Sequence, residues 1–201
     1  VPPSLVIPDC TGVLVAGGQA TRLSGVAKGL LRVGGEPIAA RTLRLFREIF
    51  PASLVIANDP SPYTGLGAPV VPDAIAGKGA PGGLHAALLA ARTGWIFTSG
   101  CDMPYLDARA IGHLAALRGE ALAAAVVWKG RLEPLHAFWS RGCLGVVERM
   151  LLEDDPSMWG IATAVGARFV SEEEWSAVDP EGRSFENANT PEDVERLGLH
   201  R

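Results

Sequence analysis

Apolar residues fall in short blocks, and the loops between the blocks collect Gly, Asn, Asp and Pro. Gly12-Val13-Leu14-Val15-Ala16 is a continuous apolar run of strand length, the pattern of a strand buried on both faces. Leu54–Ala57, Pro69–Val71, Trp95–Ser99, Ala121–Trp128, Leu135–Trp139 and Ala167–Val170 read as further strands, and residues 29–33 as a short extended piece closed by Gly34-Gly35. Between them the period changes to that of helices. From Ile38 to Phe50, Ile38, Leu45, Phe46, Ile49 and Phe50 form one stripe. Arg41, Arg44, Arg47 and Glu48 cover much of the remainder, with Pro37 at the start and Pro51 as the stop. Gly82–Arg92, a segment capped by Asp107 and running to Leu117, and Gly142–Leu152 read as helices. So does Pro191–Leu199, with Thr190 as cap and Asp193 as the acid of a capping box. Strands alternating with helices predict an α/β fold with a mainly parallel sheet covered on both faces.

Composition narrows this picture. The chain has 201 residues, 24 Gly and 15 Pro, yet 48% are hydrophobic and the glycines have no three-residue period, which excludes collagen-like and disordered chains. The length predicts a single domain over residues 1–201. The formal net charge is −4, with 18 basic residues of which fifteen are Arg. No domain-wide positive field exists, so no nucleic-acid partner is expected. No apolar run reaches 18 residues, so no membrane span is expected. Cys10, Cys101 and Cys143 have no zinc spacing, and three cysteines without a leader pattern point to a reducing, cytoplasmic setting.

The polar residues carry the functional signal, because they recur at strand ends. Open α/β sheets bind ligands beyond the carboxyl ends of their strands, where Gly17, Gly18, Asn58, Asp73 and Asp102 would gather. Gly17 and Gly18 follow the first strand, and Arg22 and Lys28 add charge within reach of a di- or triphosphate. The alternative is a glycine turn whose basic residues face water. The run matches neither GxxxxGK[ST] nor GxGxxG, which disfavours P-loop ATPases and Rossmann dehydrogenases. Asp102 follows an apolar strand and precedes Met103-Pro104. It is suited to holding Mg²⁺ with substrate phosphates, or to initiating a turn. Asp73 suits a ribose hydroxyl or a turn cap, and Asn58 a base or the turn Asn58-Asp59-Pro60. Gly79–Gly83 opens a helix with bare backbone, against which a base or phosphate can lie, or which simply permits close packing. Lys129-Gly130-Arg131 reads as a hairpin tip ahead of Glu133-Pro134, and His113 and His200 as surface residues. Cys101 lacks a paired His and reads as core, and Ser99 lacks a GxSxG elbow.

In this order the pieces resemble the molybdenum cofactor guanylyltransferases, within the nucleotidyltransferases built like nucleotide-sugar pyrophosphorylases. The resemblance rests on Leu14–Leu23 with Lys28-Gly29-Leu30, on Val71-Pro72-Asp73, and on Gly79–Gly83. It extends to Cys101-Asp102-Met103-Pro104, Glu133-Pro134-Leu135 and Asn187-Ala188-Asn189-Thr190-Pro191. It spans nearly the whole chain. It implies a three-layer α/β/α sandwich, Rossmann-like, with one antiparallel strand in a mostly parallel mixed sheet. It also implies a Mg²⁺-dependent enzyme that transfers GMP from GTP to molybdopterin. Carried over by residue, Gly17 and Gly18 would hold the triphosphate, Lys28 would neutralise it, and Arg22 would assist. Leu14 would touch guanine with Asn58 and Gly82 nearby, Asp73 would lie at the nucleoside end, Asp102 would bind Mg²⁺, and Asn189 would lie toward the pterin. Molybdenum-insertion proteins and recipient molybdoenzymes are the partners implied. A cytidylyl- or sugar-phosphate nucleotidyltransferase of the same fold is the alternative, and a non-catalytic nucleotide-binding regulator is a second. Three departures stand out. Ala27 occupies the place of an Asp usual before the Lys, and Ser24-Gly25 that of a Gly-Gly pair. The stretch Glu153–Ile161 is acidic and apolar where relatives carry basic residues.

Overall fold

The structure, a computed structural model, describes residues 5–17, 22–23, 26–153 and 156–200, the side chains of residues 22, 23 and 153 excepted. β1 (Cys10–Val15) is followed by two small hairpins, β2 (Arg22–Leu23) with β3 (Val26–Ala27) and β4 (Arg32–Val33) with β5 (Glu36–Pro37). The expected extended piece at 29–33 is instead a 3₁₀ turn at Lys28–Leu30 leading into the second hairpin. Then come α1 (Ile38–Ile49), β6 (Ala52–Ile56), β7 (Val70–Val71), α2 (Gly79–Ala90), β8 (Trp95–Gly100) and α3 (Ala108–Ala116). β9 (Ala123–Trp128), β10 (Arg131–Ser140), α4 (Leu144–Glu153), α5 (Met158–Ala164), β11 (Arg168–Val170), α6 (Glu172–Trp175) and α7 (Pro191–Arg196) complete the chain. α2 begins at Gly79, three residues earlier than expected. The short helices α5 and α6 were not expected at all, although Ser157 and Ser171 cap them.

Seven strands form one sheet in the order β11-β9-β10-β8-β1-β6-β7. Every neighbouring pair is parallel except those of β10, which runs antiparallel to β8 and β9. The expected mixed, mostly parallel sheet is therefore present, and its one reversed strand belongs to the hairpin around Glu133. The hairpin tip is a two-residue turn with φ 48° at Lys129 and 73° at Gly130, the left-handed pair that matches strand twist.

Alternation along β1 divides the core. Leu14 packs on one face with Leu43 and Phe46 of α1 and Ile111 and Leu114 of α3. Val13 and Val15 pack on the other with Leu84 and Leu88 of α2, Val147 and Leu151 of α4, and Ile161 of α5. On the first face Phe46, Phe50, Phe97 and Phe138 meet ring against ring with centroids 4.9–6.5 Å apart. Gly12 makes room for them: a Cβ there would stand 2.5 Å from Phe46 Cδ2 and 2.8 Å from Phe50 Cδ2. A third, smaller cluster joins Leu31 and Ile38 to Ala188, Leu197 and Leu199. It is tied by the Arg32–His200 backbone pair and by Tyr105 Oη donating to Leu197 O at 2.6 Å. This cluster brings the C-terminal segment back to the ligand end of the sheet. Among the described residues no helix is long and apolar enough to cross a membrane.

Candidate active site

β1 sits between β8 and β6, and the chain turns from one side of β1 to the other when it passes from β7 through α2 to β8. The crevice between β1 and β8 is thus the switch point at which open α/β sheets place their ligands. Each ladder continues into its loop: Ala16 N donates to Ile56 O at 2.8 Å, Ala57 N to Val71 O at 3.0 Å, and Cys101 N to Val15 O at 3.1 Å. The polar loop residues are therefore anchored by the sheet itself.

On the β6/β7 side, Asn58 and Asp73 hold each other reciprocally. Asn58 Nδ2 donates to Asp73 Oδ2 at 2.9 Å, and Asp73 N donates to Asn58 Oδ1 at 2.9 Å. The second carboxylate oxygen, Asp73 Oδ1, is buried without a partner among the described residues. Gly17 lies directly above it, its missing Cβ position 3.7–3.8 Å from the Asp73 oxygens. Gly83 closes the same corner from α2, where a Cβ would be 3.2 Å from Val15 Cγ1 and 3.9 Å from Asp73 Oδ1. Gly82 is buried in the same turn. An acceptor atom beside bare backbone suits the hydroxyls of a sugar.

On the β8 side, Lys28 is the organising residue. Its side chain is only 6% exposed. Its ammonium donates to Asp102 Oδ2 at 3.3 Å and, closely, to Asn189 Oδ1. Asn189 is fixed in turn: its Nδ2 donates to Asn187 Oδ1 at 2.8 Å, and its N to Asp193 Oδ2 at 3.0 Å. Thr190 and Asp193 form the expected capping box, so the helix start that holds Asn189 is itself locked. Ala188 N donates to Asp102 O at 3.0 Å and sutures the C-terminal segment to the end of β8. Three residues far apart in sequence, Lys28, Asp102 and Asn189, meet at one point. An ammonium has three protons to donate, and two have partners among the described residues.

Asp102 is 21% exposed, and its Oδ2 faces the ammonium. Its Oδ1 lies over Gly100, where a Cβ would come within 2.7 Å. Among the described residues no three His, Cys, Asp or Glu converge on a common metal position. A single carboxylate fits a cation that arrives with substrate phosphates, as Mg²⁺ does, rather than a caged ion.

Not every expected residue lies at this surface. Leu14 is fully buried beneath the loop, paired on both sides by Val55 and Ser99. Its side chain therefore supports the loop from within and cannot touch a base. Gly18 and the side chain of Arg22 lie outside the described residues. Cys101 is core, as expected: burial pushes its thiol up to about 12, and the neighbouring Asp102 adds to the effect. His113, expected at the surface, is half-buried with its ring 6.2 Å from that of Trp175, while His200 is exposed. A cleft of about 400 Å³ lined by Arg41, Tyr105, Arg109 and Arg183 lies beside the site and shares none of its residues.

Two residues acquire significance only in three dimensions. Gly100 gives the Asp102 carboxylate its position, and Asp193 fixes Asn189. The capping-box spacing was the one sequence signal for the second; nothing marked the first.

The pattern of the MobA-like NTP transferase domain family matches residues 12–169. A probable molybdenum cofactor guanylyltransferase of Pelotomaculum thermopropionicum is 34% identical over 187 residues, covering 92% of this chain and 90% of that protein. The molybdenum cofactor guanylyltransferase of Desulfosudis oleivorans is 31% identical over 187 residues, covering 92% and 93%. The crystal structure of molybdopterin-guanine dinucleotide biosynthesis protein A from Archaeoglobus fulgidus shares the fold. Its TM-score is 0.78 at 22% identity, over 93% of this chain and 96% of that one. With the strand-end loops at the β1/β8 switch point and a family match over most of its length, the chain belongs to the MobA-like NTP transferase domain family and is a nucleotidyltransferase.

Proposed function

We propose that this nucleotidyltransferase is a molybdenum cofactor guanylyltransferase, moving GMP from GTP to the terminal phosphate of molybdopterin. A phosphate oxygen of the acceptor forms a bond to the α-phosphorus. The bond from the α-phosphorus to the bridging oxygen breaks, and pyrophosphate leaves with that electron pair. The observation that carries this reading is the meeting of Lys28, Asp102 and Asn189 at the β1/β8 crevice, beside the Gly17–Asp73 corner. The names of the relatives supply the acceptor.

The attacking phosphate is ionised near neutrality, so no strong general base is needed; the chain's contribution is alignment and charge stabilisation. Lys28 directs its remaining proton at the phosphates, and its charge offsets the negative charge that grows on departing pyrophosphate. The loop amides around Gly17 do the same without adding net charge, and Gly18 and Arg22 extend that role. This accounts for triphosphate binding by a protein of formal charge −4. Asn58 and Gly82 take the base side, Asp73 the ribose, and Asn189 the acceptor side. Asp102 would hold Mg²⁺ through Oδ1, which supplies positive charge to the phosphoryl oxygens when bound. The product would pass to molybdenum-insertion proteins or recipient molybdoenzymes in the cytoplasm.

The test replaces Asp102 with Ala and, separately, Lys28 with Ala, and follows pyrophosphate release from GTP with molybdopterin and Mg²⁺. Each should cost ~10²-fold or more in turnover, the scale for removing one preorganised charge-stabilising group, with circular dichroism unchanged. Wild-type turnover in either variant would refute the assigned roles.

A further inference from the structure

Glu133 is a carboxyl that neither the fold nor the nucleotide corner uses. β10 pairs with β9 at Leu132↔Val127 and again at Ala137↔Ala125, so four residues, 133–136, stand opposite one. This wide bulge lies at the ligand end of the sheet. With His136 opposite Ser99 in an antiparallel pair, the chain back from His136 runs toward Gly100 and Asp102. Thr98 Oγ1 fastens the bulge, lying 2.9 Å from Pro134 O and 3.2 Å from Ala137 O. Pro134 is tolerated there because the ladder is already open. Bulges held in this way re-aim side chains, often at sites.

Glu133 is half-buried and has no hydrogen bond or ion pair among the described residues; Arg131 acts on it only at a distance. Burial raises its pKa to about 7, as expected for a carboxyl short of donors. No polar group of the described chain pairs with it, which leaves the carboxylate open to a donor from a ligand.

We propose that Glu133 takes hydrogen bonds from an aminopyrimidinone edge, the adjacent ring N–H and exocyclic NH₂ of a bicyclic heteroaromatic ligand. Two parallel donors match two carboxylate oxygens, the geometry that makes such pairs selective. Guanine and pterin both present this edge. Glu133 stands across β8 from the Asn58–Asp73 corner, on the far side of Asp102 from the nucleoside, so the edge it reads is the acceptor's. The assignment to the acceptor rests on the guanylyltransferase reading; the recognition of the edge does not.

The test measures equilibrium binding of pterin and of lumazine, in which a carbonyl replaces the 2-amino group, to the wild-type protein and to Glu133→Gln and Glu133→Ala. The wild type should prefer pterin by about 10-fold or more, the scale of one charged hydrogen bond, and both variants should bind the two rings within threefold of each other. Melting temperatures check that the variants fold, and the wild-type preference needs no variant. Equal binding by the wild type, no pterin binding at millimolar concentration, or a preference that survives both substitutions would overturn the proposal. GTP and ITP form the second arm, since ITP lacks the same amino group. A preference for GTP that Glu133→Ala abolishes, with pterin unaffected, would overturn the acceptor assignment and give the edge to guanine. A protein that prefers pterin yet transfers no GMP would overturn the guanylyl-transfer reading alone.

Discussion

Replacing Gly100 with Ala adds one methyl group directly against the Asp102 carboxylate. The new Cβ would stand 2.7 Å from Asp102 Oδ1 and 3.4 Å from Met103 Cγ and Sδ. The backbone cannot yield easily, because Gly100 is buried and paired with Val15 in the centre of the sheet. The Asp102 carboxylate is 21% exposed and ends a side chain, so it is the part that moves, by roughly 0.7 Å to reach ordinary contact distance. Such a shift also strains the 3.3 Å contact to Lys28. Crowding of this size costs about 1 kcal/mol. Loss of glycine's freedom in the unfolded chain returns about 0.4–1 kcal/mol, since Gly100 is not in the left-handed region. Net stability should change little, and the melting temperature by no more than about 4 °C. Turnover should fall far more. A misplacement approaching 1 Å costs on the order of 10²-fold, so a loss of about 30- to 100-fold is expected. The assay is initial-rate pyrophosphate release from GTP with molybdopterin and Mg²⁺, alongside thermal melting. Turnover within threefold of wild type, at an unchanged melting temperature, would show that Asp102 does not act from the position described.

Other consequences are equally direct. Gly12→Ala drives a methyl group into the Phe46 and Phe50 rings and should destabilise by about 1–3 kcal/mol in urea unfolding, with activity per folded molecule unchanged. His136 is fully buried among Phe97, Trp175 and Phe185, and burial lowers its pKa to about 4 from 6.5. Its folded pKa is depressed, so the unfolded chain binds the extra proton between pH 6.5 and 4, and stability falls as pH falls through that window. The loss should be about 2 kcal/mol at pH 5. His136→Leu should remove that share of the difference between melts at pH 5 and 7.5, and an identical pH dependence in the variant would contradict it. Asp193→Ala breaks the capping box and frees the Asn189 backbone. It should cost about 1 kcal/mol and lower guanylyl transfer several-fold, whereas a stability loss with full activity would detach Asn189 from the reaction.

How much of this was legible in the sequence follows from the range of each signal. Local signals carried well. The Thr190–Asp193 box, the Asp107 cap and the Lys129-Gly130 turn are written within four residues and appear as read. The apolar strand blocks gave the sheet, because burial on both faces leaves a continuous run. The start of α2 was misjudged because glycine and Pro81 look like breakers. Gly79, Ala80 and Pro81 nevertheless form its first turn, where a proline's missing N–H costs no helix hydrogen bond. α5 and α6, of seven and four residues, are too short for a period to show, although the Ser171–Glu174 capping box was readable. The strand-end positions of Asn58, Asp73 and Asp102 followed from the fold class alone. Their partners did not: Lys28 and Asn189 are 161 residues apart, and their contact comes from the packing of Leu31 and Ile38 on Ala188 and Leu197. Leu14 shows the converse. A motif names a position, but alternation along β1 decides whether its side chain meets ligand or core.

Guanylyl transfer to a molybdopterin acceptor at the Lys28–Asp102–Asn189 site is the reaction proposed for this protein. Its most direct test supplies the purified protein with molybdopterin, Mg²⁺ and either GTP or CTP, and measures pyrophosphate together with the dinucleotide product. Stoichiometric pyrophosphate and guanine dinucleotide are expected from GTP, dependent on both acceptor and Mg²⁺, with little from CTP. Preferential use of CTP, or tight GTP binding with no pyrophosphate released, would contradict it.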